Sequence, residues 1–421
     1  MEKHDIIVVG AGISGLSTAY HLKQHNRDLD MLIVDKAQGY GQGNTGRSAA
    51  GFRDMFSSRI NHLLSSSSIS FYRYIQEEMH HDLGMKFVGY LFLAANNERG
   101  RTLETNMKNI PGTRRIEKDD LQKYLSIADL DRESAEMLSL DPAEFGIFGG
   151  NCGIIEPDLI CDFYYNALRE MDVNFSFGTG VQKLSLDPIK KLDFPGEPFL
   201  WQEKFIGPLE TTSGQISADK YVIATDTWAN YLLDPVGVDS HQRPKKRQIF
   251  QISGPSVEKL LFTDSFSRYG ILPFTILPSH GIYLRPALKE RSLWIGVSDD
   301  IGRDFSFVED PEAEQDFYES GVYPVLSAYF PQLKDSKVTS KWAGYYSYNT
   351  IDKNPYIFRT MNAIVVTGTS GSGILKGDAI GRVTAALTEG KDVALLYSGD
   401  KININDLGVT GRNVDPEHII L

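Results

Sequence analysis

Apolar residues form short, uninterrupted runs at four places along the chain, at residues 6–9, 31–34, 221–225 and 363–367. A run of this length without polar alternation is typical of a strand buried on both faces, as in a parallel sheet. Longer stretches at residues 59–79 and 374–388 carry apolar side chains at helical spacing. Strands alternating with helices in this way predict an α/β fold.

The pattern changes between residues 245 and 338, where strand-like runs dominate and one helix is predicted at residues 312–329. The α/β pattern returns after residue 342. We therefore predict a Rossmann-like domain built from three segments, residues 1–85, 145–240 and 340–421. A β-rich substrate-binding domain, residues 86–144 and 241–339, is inserted between those segments.

The first predicted strand leads directly into Gly10-x-Gly12-x-x-Gly15, which opens a predicted helix. Gly10 permits the tight turn, Gly12 lets the backbone approach a pyrophosphate, and Gly15 lets the helix pack on the strand. The unpaired amides of the helix N-terminus attract phosphate groups. Asp35 ends the second strand, where its carboxylate can accept hydrogen bonds from both ribose hydroxyls. The motif predicts a dinucleotide site, and the carboxylate disfavours NADP because it repels a 2′-phosphate.

Two later segments favour FAD over NAD as that dinucleotide. Residues 45–53, TGRSAAGFR, form a loop of mostly small side chains whose backbone can lie against a flat ring system. In residues 365–381 a strand breaks at Gly368, and Gly371 and Gly373 open a helix. The amides at the start of that helix would face an anionic acceptor, such as the edge of a reduced flavin. A strand-to-helix turn without a ligand is the alternative for this segment.

Composition narrows the possible partners. The formal net charge of −12 argues against nucleic acid, because phosphates would be repelled. Two cysteines, Cys152 and Cys161, are too few for a disulfide framework or a zinc site, so no metal is expected and a cytoplasmic location is predicted. No apolar run reaches the roughly 18 residues of a membrane span, and peripheral membrane contact stays open. The charged run at residues 243–248, RPKKRQ, is interpreted as a solvated surface, with a docking surface for an electron-transfer partner as the alternative.

Several motifs together resemble the D-amino-acid oxidase superfamily of FAD-dependent oxidoreductases. They are DIIVVGAGISG, Asp35, TGRSAAGFR, GIIEPD, YVIATDTWAN, GIYLRP, WAGYY and TSGSGI, and they cover nearly the whole chain in the family's order. The chain is most similar to the branch that holds sarcosine and dimethylglycine dehydrogenases, the β-subunit of archaeal L-proline dehydrogenase and a mitochondrial oxidoreductase of complex assembly. The resemblance implies a GR2-type FAD-binding domain and a small-molecule amine or amino-acid substrate.

The resemblance also implies which residues bind FAD. The glycine-rich turn would hold the pyrophosphate, and Asp35 the adenosine ribose. The backbone of Val181 would meet the adenine, and Ala224 and Thr225 would pass near the pyrophosphate. Two loops would flank the isoalloxazine. The full predicted set is Gly10, Gly12, Ile13, Ser14, Gly15, Asp35, Lys36, Thr45, Gly46, Arg47, Ser48, Ala49, Ala50, Gly51, Val181, Ala224, Thr225, Gly371, Ser372, Gly373 and Ile374.

Four positions depart from the family pattern. Asp226 stands where the family usually has a glycine. Gly344 stands where the sarcosine oxidases attach flavin through a cysteine, which implies non-covalent FAD. The resemblance places Tyr283 where those oxidases hold an oxygen-activating lysine, and a tyrosine lacks the fixed positive charge that stabilises superoxide, which favours a dehydrogenase. Lys376 lies one position after the place of the family's carboxylate-binding lysine.

The expected reaction is oxidation of the C–N bond of an amino acid or secondary amine by hydride transfer to flavin N5, followed by hydrolysis of the imine. Arg53 falls near the family arginine that binds a substrate carboxylate. Tyr283, Tyr346 and Lys376 complete the predicted catalytic set. Arg285 shares a strand face with Tyr283 and is an alternative anchor, with an ion pair as its other role. The sequence does not identify the electron acceptor.

Two other functions fit the same fold. One is a dehydrogenase of a 2-hydroxy acid or of a glycerol-phosphate-type polyol, which would release no ammonia or alkylamine. The other is a non-catalytic flavoprotein that serves in complex assembly, which would bind FAD but oxidise no substrate.

Overall fold

The computed structural model describes residues 3–263 and 266–419. The strands in this part of the chain are Lys3–Val9 (β1), Met31–Val34 (β2), Gly51–Phe52 (β3), Tyr90–Ala94 (β4), Thr113–Glu117 (β5), Phe145–Gly149 (β6), Gly153–Ile154 (β7), Asn174–Ser176 (β8), Val181–Pro188 (β9), Lys204–Thr211 (β10), Gly214–Ile223 (β11), Arg243–Ser253 (β12), Phe274–Ile276 (β13), Ile282–Ala287 (β14), Ser292–Val297 (β15), Lys337–Tyr348 (β16), Tyr356–Thr360 (β17), Ala363–Thr367 (β18), Val393–Leu395 (β19) and Lys401–Asn403 (β20).

The α-helices of the same residues are Ile13–His25 (α1), Arg59–Glu77 (α2), Glu98–Met107 (α3), Lys118–Leu125 (α4), Arg132–Leu138 (α5), Pro157–Glu170 (α6), Ala229–Leu233 (α7), Pro255–Leu261 (α8), Gln315–Phe317 (α9), Tyr323–Tyr329 (α10) and Gly373–Thr388 (α11). A π-helical segment, Tyr318–Val322, joins α9 to α10. Single 3-10 turns lie at Asp226–Trp228, Asp234–Val236, Pro331–Leu333 and Ile404–Leu407. None of these helices combines the length and apolarity that crossing a bilayer requires.

The first large sheet contains the four predicted apolar strands. Its order is β17-β18-β11-β1-β2-β8, with β9 and β10 attached beside β11, and all neighbours from β18 to β8 are parallel. Helices α1 and α11 pack against each other on this sheet, which buries its apolar strands. The carboxyl ends of β1 and β11 meet at one edge, where the Ala224 amide donates to Val9 O at 2.9 Å. Ligands of such sheets bind beyond this edge. The predicted α/β fold is therefore confirmed, and the nucleotide motif lies at the edge where a ligand would bind.

The second large sheet has the order β16-β12-β15-β14-β13-β4-β6-β5 and is mostly antiparallel. It carries the largest cluster of buried apolar side chains. Strands β6 and β16 belong to this sheet, although the predicted bounds put residues 145–149 and 340–348 in the Rossmann-like domain. Strand pairing therefore crosses two of those bounds, and the division into domains stays a prediction.

Two local expectations differ from the structure. The helix predicted at residues 312–329 begins at Gln315 and contains the π-helical segment before Pro324, whose ring nitrogen cannot donate a helical hydrogen bond. The solvated surface predicted at residues 243–248 is wrong, because this run is part of β12 between β15 and β16. Alternate side chains of a strand point to opposite faces, so Lys245 and Arg247 are buried.

Candidate active site

A cavity of about 730 Å³ lies between the carboxyl edge of the first sheet and one face of the second. Its lining begins at the turn between β1 and α1 and ends among side chains of β12, β14 and β16. The volume is within the range of small-molecule and cofactor sites, roughly 300–1,000 Å³. The nucleotide motif and the predicted catalytic tyrosines therefore face a single space.

The glycines of the nucleotide motif are required by close backbone contacts. Gly10 has a φ of +106°, and a Cβ on it would lie 2.6 Å from the carbonyl oxygen of Ala224. A Cβ on Gly15 would lie 1.9 Å from Gly10 O, so Gly15 packs behind the cavity and does not line it. The Ile13 amide donates to Thr45 Oγ1 at 3.2 Å. The remaining first-turn amides of α1 are available to an anion, since Gly12 has no side chain to cap them.

Asp35 is held in position by backbone amides. Its Oδ2 accepts from Ala11 N at 2.7 Å and its Oδ1 from Ala37 N at 2.8 Å. A carboxylate has about four acceptor positions, so two are left for ligand hydroxyls at the cavity wall. This geometry fits the ribose of a dinucleotide.

The predicted FAD loops also border the cavity. Apart from Gly15 and Gly46, every residue of the predicted cofactor set lines it. A Cβ on Gly46 would lie 2.7 Å from Gly41 O, so Gly46 shapes the loop from outside. Gly371 has a φ of +80°, and a Cβ there would lie 2.3 Å from the ring of Tyr346. The following helix, α11, has no side-chain cap at Ser372, so its N-terminal amides are open to an anionic group.

Two buried polar atoms without hydrogen-bond partners in the described part of the chain belong to residues that line the cavity beside the nucleotide motif. Asp226 has a left-handed φ of +50°, and its Oδ2 accepts from Asn44 Nδ2 at 3.3 Å. Its Oδ1 and the hydroxyl of Thr225 are buried without a hydrogen-bond partner among the described residues. Burial raises the pKa of the Asp226 carboxyl to about 6. Unpaired buried polar atoms are rare, and a polar ligand in this cavity would supply partners. By this observation and the Asp35 geometry, the residues fit FAD.

A chamber of aromatic side chains forms the other end of the cavity; we call Phe56, Tyr90, Phe274, Tyr283 and Tyr346 the aromatic chamber. The Phe274 ring stacks on Tyr90 at 4.3 Å and on Tyr283 at 5.1 Å between centroids. Within residues 3–263 and 266–419, the hydroxyls of Tyr90, Tyr283 and Tyr346 have no hydrogen-bond partner. Burial raises the pKa of Tyr283 and of Tyr346, so both are neutral at physiological pH.

Arg53 is a buried cation beside the aromatic chamber. Its side chain is 5% exposed and lies 4.1 Å from the Phe56 ring centroid. Its two terminal nitrogens donate to the carbonyl oxygens of Met55 and Ile419. Burial lowers the pKa of Arg53, and the nearby Glu417 carboxylate opposes part of this shift. The C-terminal segment thus holds the guanidinium at the cavity wall.

Lys376, a predicted catalytic residue, does not line the cavity. It is fully buried, and its Nζ donates to Asn61 Oδ1 at 2.6 Å and to Ser372 Oγ at 2.5 Å. Burial lowers the pKa of Lys376 to about 7. Leu375 faces the cavity instead, because consecutive residues of a helix differ by about 100° in direction. Lys376 is therefore placed to fix the start of α11 rather than to contact a ligand.

Arg285, the alternative anchor, is also absent from the cavity lining. Its Nε donates to Ala49 O at 3.0 Å, and its Nη2 lies 3.3 Å from Glu156 Oε1. Its guanidinium lies 4.2 Å from the Trp294 ring centroid. The ion pair is the role that the contacts support, and through Ala49 this arginine positions the predicted flavin loop.

Residues 303–310, which we call the strap, cross from the second sheet to the nucleotide end. Glu309 forms an ion pair with Lys36 and accepts from Trp228 Nε1 at 3.0 Å. Phe307 stacks on Tyr345 at 4.8 Å between centroids. A second ion pair joins the neighbouring Asp310 to Arg47 at 2.6 Å. Glu309 lines the cavity, so the strap covers part of it.

The sequence analysis did not assign several cavity residues a role. They include Tyr90 and Phe274 of the aromatic chamber, Asn44, Trp228, Glu309 of the strap, and Arg247. Burial of Arg247 could have been inferred from the sequence, because it lies in a segment of strand length and apolar residues follow soon after it, as RQIF. Among the described residues, no cluster of acidic, histidine or cysteine side chains could hold a metal. Cys152 and Cys161 are buried free thiols away from the cavity lining.

Comparison with known proteins gives concordant similarities. The chain is 25% identical over 419 residues to FAD-dependent oxidoreductase domain-containing protein 1 of Xenopus laevis, covering 92% of this chain and 79% of that protein. It is 24% identical over 239 residues to human peroxisomal sarcosine oxidase, covering 56% of this chain and 53% of that protein. Among solved structures, the L-proline dehydrogenase of P. horikoshii superposes with a TM-score of 0.72 at 23% identity, covering 93% of this chain and 94% of the other.

The glycine oxidase of Geobacillus kaustophilus superposes with a TM-score of 0.69 at 17% identity, covering 93% and 96% of the two chains. These structural likenesses establish the fold. The family model described as "DAO: FAD dependent oxidoreductase" matches residues 5–387, which is most of the chain. Sequence motif, cavity and family match agree, and the chain belongs to the DAO family of FAD-dependent oxidoreductases.

Proposed function

We propose that this protein oxidises the C–N bond of an amino acid or secondary amine, and that it acts as a dehydrogenase with non-covalently bound FAD. The observation that carries the proposal is the single cavity in which a dinucleotide site opens onto the aromatic chamber and Arg53. Relatives and structural neighbours named for sarcosine, proline and glycine support a substrate of this class.

FAD, when bound, supplies the acceptor of the hydride that leaves the substrate carbon. The chain's own residues bind and orient the substrate. Arg53 would pair with a substrate carboxylate through its Nε or through second hydrogens on its terminal nitrogens, since each terminal nitrogen donates only once to the backbone. The hydroxyls of Tyr90, Tyr283 and Tyr346 would complete the polar contacts.

The aromatic chamber would favour the reactive form of the amine. An amine can form a C=N bond only when its lone pair is free of a proton. Low-dielectric surroundings and a nearby cation both lower an amine pKa, and the chamber supplies apolar rings together with Arg53. The N–H proton then passes to solvent, and water hydrolyses the resulting imine to a carbonyl compound and a free amine.

The preference for a dehydrogenase rests on Tyr283. This residue stands where related oxidases are expected to carry a lysine, and burial raises the pKa of its hydroxyl, so it stays neutral. A neutral phenol cannot give the fixed charge that stabilises a forming superoxide. Of the buried cations at this end, Arg53 is assigned to the substrate carboxylate, Arg247 forms an ion pair with Asp300, and Lys376 is held by Asn61 and Ser372.

The test is an anaerobic reduction screen of the purified FAD protein. Amino acids, N-methyl amino acids and 2-hydroxy acids are mixed with it, and loss of the visible flavin absorbance is followed. We expect reduction by an amine, release of ammonia or an alkylamine, and far faster electron transfer to a dye than to oxygen. Reduction by hydroxy acids alone would overturn the C–N assignment, and rapid peroxide formation would overturn the dehydrogenase assignment.

Substitution of Arg53 tests the carboxylate anchor. Arg53→Met removes charge-assisted hydrogen bonds of about 1.5–3 kcal/mol, so the half-saturating substrate concentration is expected to rise about 10- to 100-fold. Arg53→Lys should recover part of this loss. Arg59→Met is the matched control, because Arg59 is exposed at the start of α2 and away from the cavity. An unchanged half-saturating concentration in Arg53→Met would refute the anchor.

A further inference from the structure

Arg247 is a buried cation of the cavity wall whose hydrogen-bonding capacity is only partly used. Its side chain is 7% exposed, and its Nη2 forms an ion pair with Asp300. Its Nη1 donates weakly to the carbonyl oxygens of Lys246, at 3.3 Å, and Asp299, at 3.5 Å. Among the described residues its Nε has no partner at all, although it is buried.

An unpaired N–H of a buried guanidinium is costly, by about 1–3 kcal/mol or more. Such groups are rare in native proteins, and strain, a catalytic role, or a bound water or ion accounts for them. Guanidinium groups only donate hydrogen bonds, so the missing partner must be an acceptor. The position beside the cavity indicates that this acceptor belongs to a ligand.

The charge around Arg247 also favours an anion. Lys245 donates to the carbonyl oxygens of Asp300 and Arg303, and Arg303 is shared between Asp299 and Glu314. The contacting cluster holds four cations and three carboxylates, which are Lys245, Lys246, Arg247 and Arg303 against Asp299, Asp300 and Glu314. The cluster therefore holds one cation more than it has carboxylates, and Arg247 is its member that lines the cavity.

Arg53 and Arg247, two of the arginines that line the cavity, have different surroundings near Tyr346. The guanidinium of Arg247 lies 4.9 Å from the Tyr346 ring centroid. Arg53 rests on Phe56 and is tied to the C-terminal segment, yet both cations act on the Tyr346 hydroxyl electrostatically. A ligand beside Tyr346 is thus within the field of two separate cationic groups.

We propose that Arg247 binds a second carboxylate of the substrate, in a subsite separate from the one assigned to Arg53. The substrate class is then an amino acid or secondary amine with two carboxylates, such as an acidic amino acid or an N-carboxyalkyl amino acid. The oxidation of such a compound depends on the proposed function, whereas its binding at Arg247 does not.

The first experiment compares substrates in matched pairs that differ by one carboxylate. Sarcosine is paired with iminodiacetate, and alanine with aspartate, and anaerobic flavin reduction is measured for each. In the natural protein we expect the diacid of a pair to be preferred. Arg247→Met should reduce that preference about 10- to 100-fold, and Arg247→Lys should restore part of it. The matched control is Arg59→Met, because Arg59 is exposed at the start of α2 and does not line the cavity.

A second experiment needs no turnover. Glutarate and butyrate are titrated into the FAD protein, and the perturbation of the flavin absorbance spectrum reports binding. Tighter binding of glutarate that is lost in Arg247→Met but kept in Arg59→Met supports the subsite even if no amine reduces the flavin. Equal effects of Arg247→Met on mono- and dicarboxylates, in a variant that retains FAD, overturn the proposal even if amines are oxidised.

Discussion

Asp226→Asn is the substitution whose effect on stability follows most directly from the structure. Asp226 occupies a left-handed backbone position with one carboxylate oxygen buried and unpaired. Burial raises its pKa from 3.8 to about 6. Since each pKa unit corresponds to about 1.4 kcal/mol, ionisation of this group costs the folded apoprotein up to about 3 kcal/mol. Water reaching the cavity reduces this value, so about 1–3 kcal/mol is expected.

The sign of the pH dependence follows from proton binding. Between about pH 4 and pH 6 the folded protein keeps the Asp226 proton while the unfolded chain has released it, so the free energy of unfolding falls as pH rises through this window. Asparagine cannot ionise and tolerates the left-handed conformation. Asp226→Asn should therefore be more stable than the natural protein above about pH 6, and the difference should disappear near pH 4.

The assay is urea unfolding of FAD-free protein at about pH 4.5 and about pH 7.5, with the free energy of unfolding extrapolated to water. Asp172→Asn is the matched control, because Asp172 also has a positive φ, +56°, but is exposed. It should not change the pH dependence. If Asp226→Asn shows the same pH dependence as the natural protein, or is less stable at about pH 7.5, the assignment of an unfavourable buried carboxylate is refuted.

Two other substitutions test the walls of the cofactor site. Gly371→Ala places a methyl group 2.3 Å from the Tyr346 ring, whereas Gly390→Ala, at a similar φ of +82°, meets open space. Both variants bear backbone strain, but only Gly371→Ala is overpacked, which destabilises the protein by about 1–3 kcal/mol. Gly371→Ala alone should therefore lose FAD on dialysis, and an equal flavin content of the two variants would contradict this. Glu309→Gln removes the strap's ion pair with Lys36, which is largely exposed and contributes at most about 1 kcal/mol. We expect FAD to dissociate up to about 5-fold faster. Added salt should accelerate dissociation more from the natural protein than from the variant, which keeps the ion pair of Asp310 with Arg47; the same salt effect on both would exclude the Glu309–Lys36 pair as the cause.

The nucleotide end of the site was accessible from the sequence because its determinants are local. The glycines, Asp35 and the strands beside them are contiguous segments, and each segment's pattern dictates its own turn or strand. The glycine pattern at the start of α11 is equally local, and the family resemblance then extended the assignment to Val181. Nearly all of these residues border the cavity.

The aromatic chamber was less accessible because it depends on pairing between distant strands. Tyr90 and Phe274 come together only through the pairing of β4 with β13. Arg247 was hidden for a related reason: its run of charges looks solvated until the carboxylates of Asp299 and Asp300 are placed beside it. The role of Lys376 was predicted wrongly because it lies one position after the family's lysine. On a helix, a shift of one residue turns the side chain by about 100°, here away from the cavity.

The strap is placed to retain a bound FAD. Its contacts join the two sheets over part of the cavity, so they would slow release of the cofactor. Any ligand that binds only the native state shifts folding toward it. In a cell, the supply of riboflavin should therefore set how much of this protein accumulates, and vitamin starvation should deplete the polypeptide itself as well as its colour.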